Sequence, residues 1–302
     1  MHKELQTAIA AVVRASRLTQ TIFTSLQAGQ SSSAGTVTKL DKSPVTIADY
    51  GSQAVVNAVL RSAFPQDPIV GEESSEELRR NSVLREKVWR LVSSTLEETS
   101  PDELASVGGR IDTPDDMMNL IDKGDSQGGS VGRKMSCLVC ELIQGFWTLD
   151  PIDGTLGFLR GGQYAVCLAL IVDGKVEVGV LGCPNLPVSS NSSERGILLY
   201  GRRGDKAYET SLSNPSMETA RVCRMKPIDD ISQAKFCESV ESGHSSHGQQ
   251  SQIADLLGIK TASVRMDSQA KYATLARGNA EIYLRLPVNM EYREKIWVKL
   301  VS

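Results

Sequence analysis

The chain has 302 residues, of which 40% are hydrophobic and 23% are charged, and its formal net charge is -3. This size and composition suffice for a buried core and favour two packed lobes. The small negative charge excludes a broad electrostatic attraction to nucleic acid polymers or anionic membranes, so an anionic ligand requires a local site.

Residues 1–26 predict an amphipathic helix and not a signal peptide. Lys3, Glu4, Arg14 and Arg17 interrupt an apolar pattern of helical spacing, and no stretch approaches the roughly 20 apolar residues of a membrane helix. The cysteines are scattered and accompany no secretory signal, which favours free thiols in a reducing compartment. We therefore expect a cytoplasmic protein.

The next segments predict a polar connection and a second helix. Residues 27–36 are rich in Ser and Gly, which is typical of a surface loop. Thr46 is a candidate N-cap for a helix whose first turn carries Asp49 and whose buried side includes Val55 and Val59.

Residues 67–133 predict a strand, a helix and an irregular stretch. The segment 67–73 predicts a short buried strand that delivers Glu72 and Glu73 to a sheet edge. Residues 76–96 predict one charged helix. Residues 98–133 are rich in Asp, Gly and Ser, so we expect a surface excursion with little regular structure there.

The rest of the chain predicts strands first and an alternation of strands and helices later. Strand patterns occupy residues 146–149, 164–172, 175–181 and 196–200, and Asp173-Gly174 is a strong hairpin signal between the second and third. Strand-like runs at residues 235–239 and 280–284 then alternate with helical runs at residues 249–257 and 268–276. This alternation predicts an N-terminal α+β lobe over residues 1–215 and a C-terminal α/β lobe over residues 216–302.

The segment 147–155 predicts a metal site at the end of a strand. It reads Trp-Thr-Leu-Asp-Pro-Ile-Asp-Gly-Thr, so Asp150 and Asp153 follow a strand and precede a turn. Mg²⁺ takes hard oxygen ligands in near-octahedral geometry and is commonly completed by substrate phosphate. The candidate ligands are these two carboxylates and the backbone carbonyl of Ile152.

A plain turn is the alternative interpretation of the same residues. Asp-Pro and Asp-Gly are common turn dipeptides, and either pair alone favours a turn without further function. The metal site is favoured by Asp49 at the start of a helix and by Glu72 and Glu73 at the end of a strand. The pair Cys137-x-x-Cys140 has no second pair with which to form a competing zinc site.

Three ordered motifs lie between residues 41 and 155: Asp-Lys-Ser-Pro-Val-Thr-Ile-Ala-Asp at 41–49, Gly-Glu-Glu at 71–73 and Asp-Pro-Ile-Asp-Gly-Thr at 150–155. Together they resemble the signature of the lithium-sensitive, magnesium-dependent phosphatases that include inositol monophosphatase and the 3′(2′),5′-bisphosphate nucleotidases. Four further segments resemble the fungal nucleotidases in particular, at 146–170, 240–247, 267–272 and 283–287. The resemblance implies an α/β (α+β) fold, a layered αβαβα sandwich of the inositol monophosphatase and fructose-1,6-bisphosphatase type, with the active site between the lobes.

The resemblance also implies a role for each matching residue. The metal ligands, for two or three Mg²⁺ ions, would be Glu72, Asp150, Asp153 and the carbonyl of Ile152. Asp49 and Thr155 would position the attacking water and take its proton. The substrate contacts would be Gly154, Thr155, His244, Ser268, Lys271 and Arg285. Outside these motifs, such His, Lys and Arg residues are ordinary loop or surface residues.

The substrate implied by the resemblance is a small phosphorylated nucleotide. It would be adenosine 3′,5′-bisphosphate (PAP), hydrolysed to AMP and phosphate, with 3′-phosphoadenylyl sulfate (PAPS) as a second candidate, in sulfur assimilation and under inhibition by lithium. The first lobe would bind metal and the second lobe the nucleotide. We expect a monomer with no nucleic acid polymer and no membrane as partner.

The chain departs from the resembled pattern at three places. After Glu294-Lys-Ile-Trp297 the family continues with Asp-His-Ala-Ala-Gly, whereas this sequence reads Val-Lys-Leu-Val-Ser, so we expect an incomplete second lobe and a missing aspartate ligand. Residues 134–145 form an apolar insertion, and Leu156 stands where nucleotidases often carry Lys. Together with the sequence after Trp297, the insertion suggests translated intron sequence or an alternative transcript, which a comparison of transcript and genomic sequence tests. Two alternatives stay open: an inositol phosphate phosphatase, and a catalytically inactive truncated product.

Overall fold

The structure is a computed structural model that describes residues 3–28, 37–38, 44–45, 47–97, 108–125, 145–189, 192–240 and 247–286. Several predictions lie outside these ranges: most of the loop at 27–36, the Cys137 and Cys140 pair, nearly all of the insertion at 134–145, His244, and the segment after Trp297.

The helices in chain order are α1 (Lys3–Gln27), α2 (Ile47–Ala63), α3 (Glu76–Arg80), α4 (Ser82–Glu97), α5 (Pro114–Ile121), α6 (Thr155–Leu159), α7 (His247–Leu256) and α8 (Ala270–Ala276). The strands are β1 (Val37–Thr38), β2 (Pro44–Val45), β3 (Ile69–Val70), β4 (Gly145–Asp153), β5 (Ala165–Val172), β6 (Lys175–Pro187), β7 (Arg195–Arg202), β8 (Ala207–Ser211), β9 (Arg221–Val222), β10 (Phe236–Glu238), β11 (Val264–Arg265) and β12 (Ile282–Tyr283). β1 and β2 pair with each other.

A seven-stranded sheet forms the centre of the described residues, in the order β3-β4-β5-β6-β7-β8-β9. β3 runs parallel to β4, and the following pairs are antiparallel. Successive side chains of a strand point to opposite faces. Val166 and Leu168 of β5 therefore join the core under α1 and α2, whereas Ala165 and Cys167 join a second core under α8.

Three further layers, α8, a small sheet and α7, are stacked on the second face of this sheet. Ala270 and Ala273 of α8 pack on the large sheet, and α8 also contacts β10 and β12 of a three-stranded parallel sheet, in the order β11-β10-β12. On the other side of that small sheet, Ile253 and Ala254 of α7 pack against Phe236. The sequence of layers is thus α1 and α2, large sheet, α8, small sheet, α7, which confirms the predicted αβαβα sandwich.

Two predicted elements were wrong. Residues 76–96 form two helices, because Asn81 has extended backbone between them and its side chain accepts the N–H of Leu84 at 3.0 Å, where α4 begins. The excursion at 98–133 contains α5. The Thr113 side chain caps α5 by accepting the N–H of Asp116 at 3.1 Å, and Met117, Met118 and Ile121 bury its inner side.

The predicted hairpin was confirmed within the described residues. Asp173 and Gly174 both have positive φ, 50° and 72°, and join β5 to β6 in the turn geometry that suits a two-residue hairpin. Cys167, Cys183, Cys223 and Cys237 are free thiols. No described helix is long and apolar enough to cross a membrane. The lobe boundary at residue 215 stays a prediction.

Candidate active site

Pairing of β3 with β4 brings two acidic segments to one edge of the large sheet. The strands are parallel, and Val70 lies opposite Thr148. Glu72 and Asp150 each come two residues later along their own segments, so both carboxylates leave the sheet at the same edge. Asp150 is buried, with 3% of its surface exposed.

The end of β4 is irregular within the motif itself. Its pairing with β5 shifts between Asp150 and Asp153, which is a β-bulge, a feature that re-aims side chains next to many active sites. The carbonyl of Pro151, inside the bulge, accepts a hydrogen bond from the Ser52 hydroxyl of α2 at 2.9 Å. This bond ties the end of β4 to the first turns of α2, which also carry the buried Asp49.

The turn after Asp153 requires glycine. Gly154 has φ of +87°, and a Cβ atom there would lie 2.8 Å from the Cβ of Ser268. Thr155 then begins α6, and its hydroxyl donates to the carbonyl of Ile152 at 3.2 Å. The Thr155 hydroxyl is therefore beside the carbonyl that the resemblance makes a metal ligand.

The loop that carries Glu72 is held against the turn that follows α5. The backbone N–H of Gly71 donates to the carbonyl of Gly124 at 2.8 Å. Ser75 donates its N–H and its hydroxyl to the carboxylate of Asp122, at 2.8 and 2.7 Å. We call the sheet edge that carries Glu72, Asp150 and Asp153 the acidic edge. The turn after α5, a helix that sequence analysis missed, thus supports the loop that brings Glu72 to this edge.

A turn from the C-terminal part of the chain closes over the end of β4. Ser268 adopts a left-handed backbone with φ of 65°, a conformation that non-glycine residues seldom take and that is often found at functional sites. The next residue, Gln269, donates its backbone N–H to the carboxylate of Asp153. Arg160 adds a second connection by donating to the carboxylate of Asp267 at 2.9 Å.

Lys271 is a buried cation behind this turn. Its surface is 5% exposed, its ammonium donates to the carbonyl of Ser268 at 2.9 Å, and it lies 5.8 Å from the centre of the Tyr283 ring. Burial lowers the pKa of Lys271, and the negative charge of Asp153 works in the opposite direction. The lysine therefore lies within electrostatic reach of the acidic edge.

The pKa of the Asp153 carboxyl group is affected by charged residues from the N-terminal and the C-terminal parts of the chain. Burial raises its pKa; the charges of Lys271 and Arg285 oppose this rise, and the negative charge of Glu72 adds to it. The same four side chains are the ones that the resemblance assigns to metal and substrate. The charges of Lys271, Arg285 and Glu72 thus all act on the carboxyl group of Asp153.

The donor chemistry of this site fits Mg²⁺. The candidate ligands are oxygen atoms, and the carboxylates of Asp150, which is buried, and Asp153, which is partly buried, lie where a cation would offset the cost of removing them from water. Among the described residues, however, no three His, Cys, Asp or Glu side chains lie close enough together to hold a metal ion by themselves. Asp153 instead has its carboxylate engaged by the N–H of Gln269. The ligand set stays a prediction.

Sequence analysis missed the residues that hold this site through backbone atoms. Gln53 and Ser52 belong to α2 and bond to the Glu72 loop and to the bulge of β4. The position of Gln53, four residues after Asp49 on a helix, was a usable signal because residues at that spacing share a face. Gln269 contributes an N–H that every residue except proline has, so its identity carries no signal.

A groove of about 530 Å³ opens elsewhere on the large sheet, beside α8. Its apolar walls include Leu181 and Leu199 of the sheet and Ala273 of α8. Of the residues that the structure describes, none of the predicted metal or substrate contacts lines it. The acidic edge and this groove are separate features.

Two comparisons with known proteins, one with a family model and one with curated sequences, identify the family of this chain. The model of the inositol monophosphatase family matches residues 135–297. The chain is 49% identical to a 3′(2′),5′-bisphosphate nucleotidase of Schizosaccharomyces pombe, over 97% of this chain and 79% of that protein. It is 44% identical to a 3′(2′),5′-bisphosphate nucleotidase of Emericella nidulans, over 95% of this chain and 80% of that protein.

The fold comparison agrees with the sequence comparison. The extragenic suppressor protein suhB from Bartonella henselae superposes with a TM-score of 0.58, at 16% identity, over 99% of this chain and 82% of that one. At this identity the match concerns the fold alone, and it supports the layered sandwich described above. The chain therefore belongs to the inositol monophosphatase family, among relatives named 3′(2′),5′-bisphosphate nucleotidases.

Proposed function

We propose that this chain is a magnesium-dependent phosphomonoesterase that removes the 3′-phosphate of adenosine 3′,5′-bisphosphate, giving AMP and phosphate. 3′-Phosphoadenylyl sulfate, which carries the same 3′-phosphate, is the second proposed substrate. The proposal rests on relatives with 42–49% identity that bear this enzyme name and on one structural observation: the bond from the Gln269 N–H to Asp153, which joins the acidic edge to the turn before Lys271.

That connection suits a substrate with two phosphate groups. The acidic edge with Asp150 and Asp153 is suited to a phosphate that is cleaved with the help of cations. Lys271 and Arg285 are positive groups within electrostatic reach of that edge, and they are suited to the phosphate that stays on the nucleoside. An inositol monophosphate has no second phosphate for these two cations, which disfavours the alternative substrate.

The proposed roles follow from chemistry at named atoms. Mg²⁺ at the acidic edge would supply a water of lowered pKa and positive charge for the phosphoryl oxygens. Asp49, a buried carboxylate, would accept a proton from that water. Thr155 donates its hydroxyl hydrogen to the Ile152 carbonyl, which leaves its oxygen lone pairs to orient the water. Ser268, Lys271 and Arg285, with His244, would hold the nucleotide.

The test is phosphate release from adenosine 3′,5′-bisphosphate with Mg²⁺, with and without lithium, and with inositol 1-phosphate as the rival substrate. We expect lithium-sensitive release from the nucleotide and about a 100-fold loss in Asp153→Asn, because one charge of a preorganised site is removed. Asp173→Asn is the matched control, since Asp173 is exposed in a hairpin turn whose left-handed backbone Asn also tolerates.

Two results would contradict the proposal. Faster release from inositol 1-phosphate than from the nucleotide would favour the inositol phosphate phosphatase. No release on either substrate from folded protein, verified by a cooperative thermal transition, would favour the catalytically inactive product. The proposed compartment is the cytoplasm, where the free thiols of Cys167 and Cys183 would stay reduced.

A further inference from the structure

A buried glutamine of α2 contacts the loop that carries Glu72. Gln53 lies one helical turn after Asp49 and has none of its surface exposed. Its side-chain nitrogen donates to the carbonyl of Glu73 at 2.7 Å and to the carbonyl of Ile121 at 2.9 Å. Its side-chain oxygen accepts the N–H of Glu73 at 3.0 Å. Three of the four hydrogen bonds available to this amide are therefore made to backbone.

These bonds act on the peptide unit next to Glu72. The N–H of Glu73 belongs to the peptide that leaves Glu72, so its bond to Gln53 fixes the backbone torsion that directs the Glu72 side chain. The bond to the Glu73 carbonyl fixes the following peptide. Buried backbone groups without hydrogen-bond partners cost free energy, so these bonds stabilise the observed conformation of the loop.

Close approach of two glycines makes the arrangement specific to this amide. A Cβ atom at Gly71 would lie 2.6 Å from the side-chain oxygen of Gln53, and a Cβ at Gly124 would lie 2.7 Å from its nitrogen. The loop and the turn after α5 therefore approach the glutamine from two sides, and only glycine leaves room for it there. The Gln53 amide therefore lies between the Glu72 loop and the turn after α5 and contacts both.

We infer that Gln53 is a positioning residue that sets the direction of the Glu72 carboxylate toward the proposed Mg²⁺ site. The inference rests on the proposed function for the role of Glu72 as a ligand. Residues that orient metal ligands commonly change metal affinity by about 10- to 100-fold when they are replaced. Gln53 itself contacts neither metal nor substrate in this assignment, since its amide is engaged by backbone groups.

The chain offers a matched control on the same helix. Asn57 lies one turn further along α2, is also fully buried, and donates its amide to the carbonyl of Leu120 at 2.8 Å. Asn57→Leu therefore removes a buried amide that bonds to α5 and not to the Glu72 loop itself. Gln53→Met is the test variant, because Met has nearly the volume of Gln and makes none of the three bonds.

Hydrogen exchange without metal tests the positioning step. In Gln53→Met we expect the Glu73 amide to exchange about tenfold faster or more, read from peptides that cover residues 70–76, whereas Asn57→Leu leaves it unchanged. Gln53→Glu serves if Gln53→Met does not fold. It keeps an oxygen that accepts the Glu73 N–H, so protection of that amide should persist while the donor bonds are lost.

Mg²⁺ titration tests the consequence for the site. By calorimetry, and by half-activation in the phosphate-release assay, Gln53→Met should bind Mg²⁺ about 10- to 100-fold more weakly than the wild type. Its KM for adenosine 3′,5′-bisphosphate at saturating Mg²⁺ should stay within about twofold, because the nucleotide contacts are elsewhere. Asn57→Leu should match the wild type in both quantities.

The outcomes separate this inference from the proposed function. If the wild type binds no Mg²⁺, the metal assignment fails, and hydrogen exchange alone then decides whether Gln53 holds the loop. If the wild type binds Mg²⁺ and Gln53→Met binds it equally well, or if Asn57→Leu weakens binding as much, Gln53 has only a structural role and the inference is overturned.

Discussion

Lys271 combines a positive charge with nearly complete burial, which is uncommon for lysine in folded proteins. The carbonyl of Ser268 and the face of Tyr283 take up part of that charge, and Asp153 lies within its field. Lysine has three donors on its ammonium, so its bonds to the carbonyls of Ser268 and, at 3.5 Å, Met266 do not exhaust it. A partly desolvated ammonium group that still has a donor to offer is suited to a phosphate ligand.

We expect Lys271→Met to weaken binding of adenosine 3′,5′-bisphosphate about tenfold or more, because a buried charge-assisted hydrogen bond contributes about 1.5 to 3 kcal/mol. The measurement is calorimetric affinity for the nucleotide, with KM and kcat as a second readout. The loss should appear in KM more than in kcat. Lys260→Met, at an exposed position, is the control and should leave affinity unchanged. Equal affinity in both variants would remove Lys271 from the substrate site.

Residues differ in how far the sequence could reveal their roles. Asp150 and Asp153 could be predicted because a strand pattern ends on them and a turn follows. Lys271 and Arg285 could be assigned only through the surrounding motif, since isolated cations are usually solvated. For Gln53 the sequence offers one signal, its place four residues after Asp49 on the same face of a helix, because its partners are backbone groups that residue identity does not reveal.

At the scale of elements, the loop between β3 and α3, which carries Glu72, is joined to the turn after α5 by the side chain of Asp122. Asp122 follows α5 and accepts hydrogen bonds from both donors of Ser75 and from Arg79 at 2.8 Å. Desolvation works to raise the pKa of this carboxyl group, but the hydrogen bonds from Arg79 and Ser75 outweigh it, so the pKa of Asp122 lies below its ordinary value.

The direction of this shift fixes a pH dependence. A carboxyl group whose pKa is lower in the folded state contributes stability that is present above its unfolded pKa, about 3.9, and is lost as the pH falls through its folded pKa. We expect Asp122→Asn to lose about 1 kcal/mol of unfolding free energy at pH 7, a modest value because the side chain is 38% exposed. The difference should shrink below about pH 4.

Urea denaturation of both proteins across the pH range in which they stay folded measures this difference. Asp112→Asn is the control: Asp112 also pairs with an arginine, at 2.7 Å, but its side chain is 67% exposed. Its substitution should change the free energy of unfolding little. A loss in Asp122→Asn that is the same at every pH would attribute the effect to geometry and not to charge.

Elements with strong periodicity were predicted, and those built by local chemistry were missed. The strands β5 and β6 follow from long apolar runs around a hairpin signal. α5 was missed because Asp, Gly and Ser dominate its surroundings, and only the Thr113 cap and the buried methionines define it. β8 reads Ala-Tyr-Glu-Thr-Ser, whose polar residues give no clear alternation, so its place in the sheet comes from pairing with β7.

At the scale of the whole molecule, α8 lies between the two sheets and a buried ion pair fastens it. Arg277 follows the last residue of α8 and pairs with Glu209 of β8, with 8% and 14% of their side chains exposed. Arg277 also donates to the carbonyls of Pro187, at 3.0 Å, and Val188. One side chain thus joins the end of α8 to β8 and to the end of β6 in the large sheet.

We expect Arg277→Met to lose about 3 kcal/mol or more of unfolding free energy, because it leaves the Glu209 carboxylate buried without its partner. Removing both charges, in Arg277→Met with Glu209→Gln, should restore about 1 to 2 kcal/mol of that loss. Thermal and urea unfolding measure both. Arg221→Met, 4.0 Å from Glu209 and 69% exposed, is the control and should change stability by less than about 0.5 kcal/mol. Strictly additive losses would show that the two charges are not coupled.

The bond from Gln269 to Asp153 joins residues that are 116 positions apart, and the bond from Ser52 to Pro151 joins residues 99 positions apart. During synthesis at roughly 5 to 20 residues per second, the strand that ends on Asp153 leaves the ribosome several seconds before the turn that closes over it. Contacts between residues this far apart in the sequence form late, because the chain loses entropy when a long loop closes and gains the contact energy only afterwards. We therefore expect the acidic edge to be completed near the end of folding, after the strands that present it have formed.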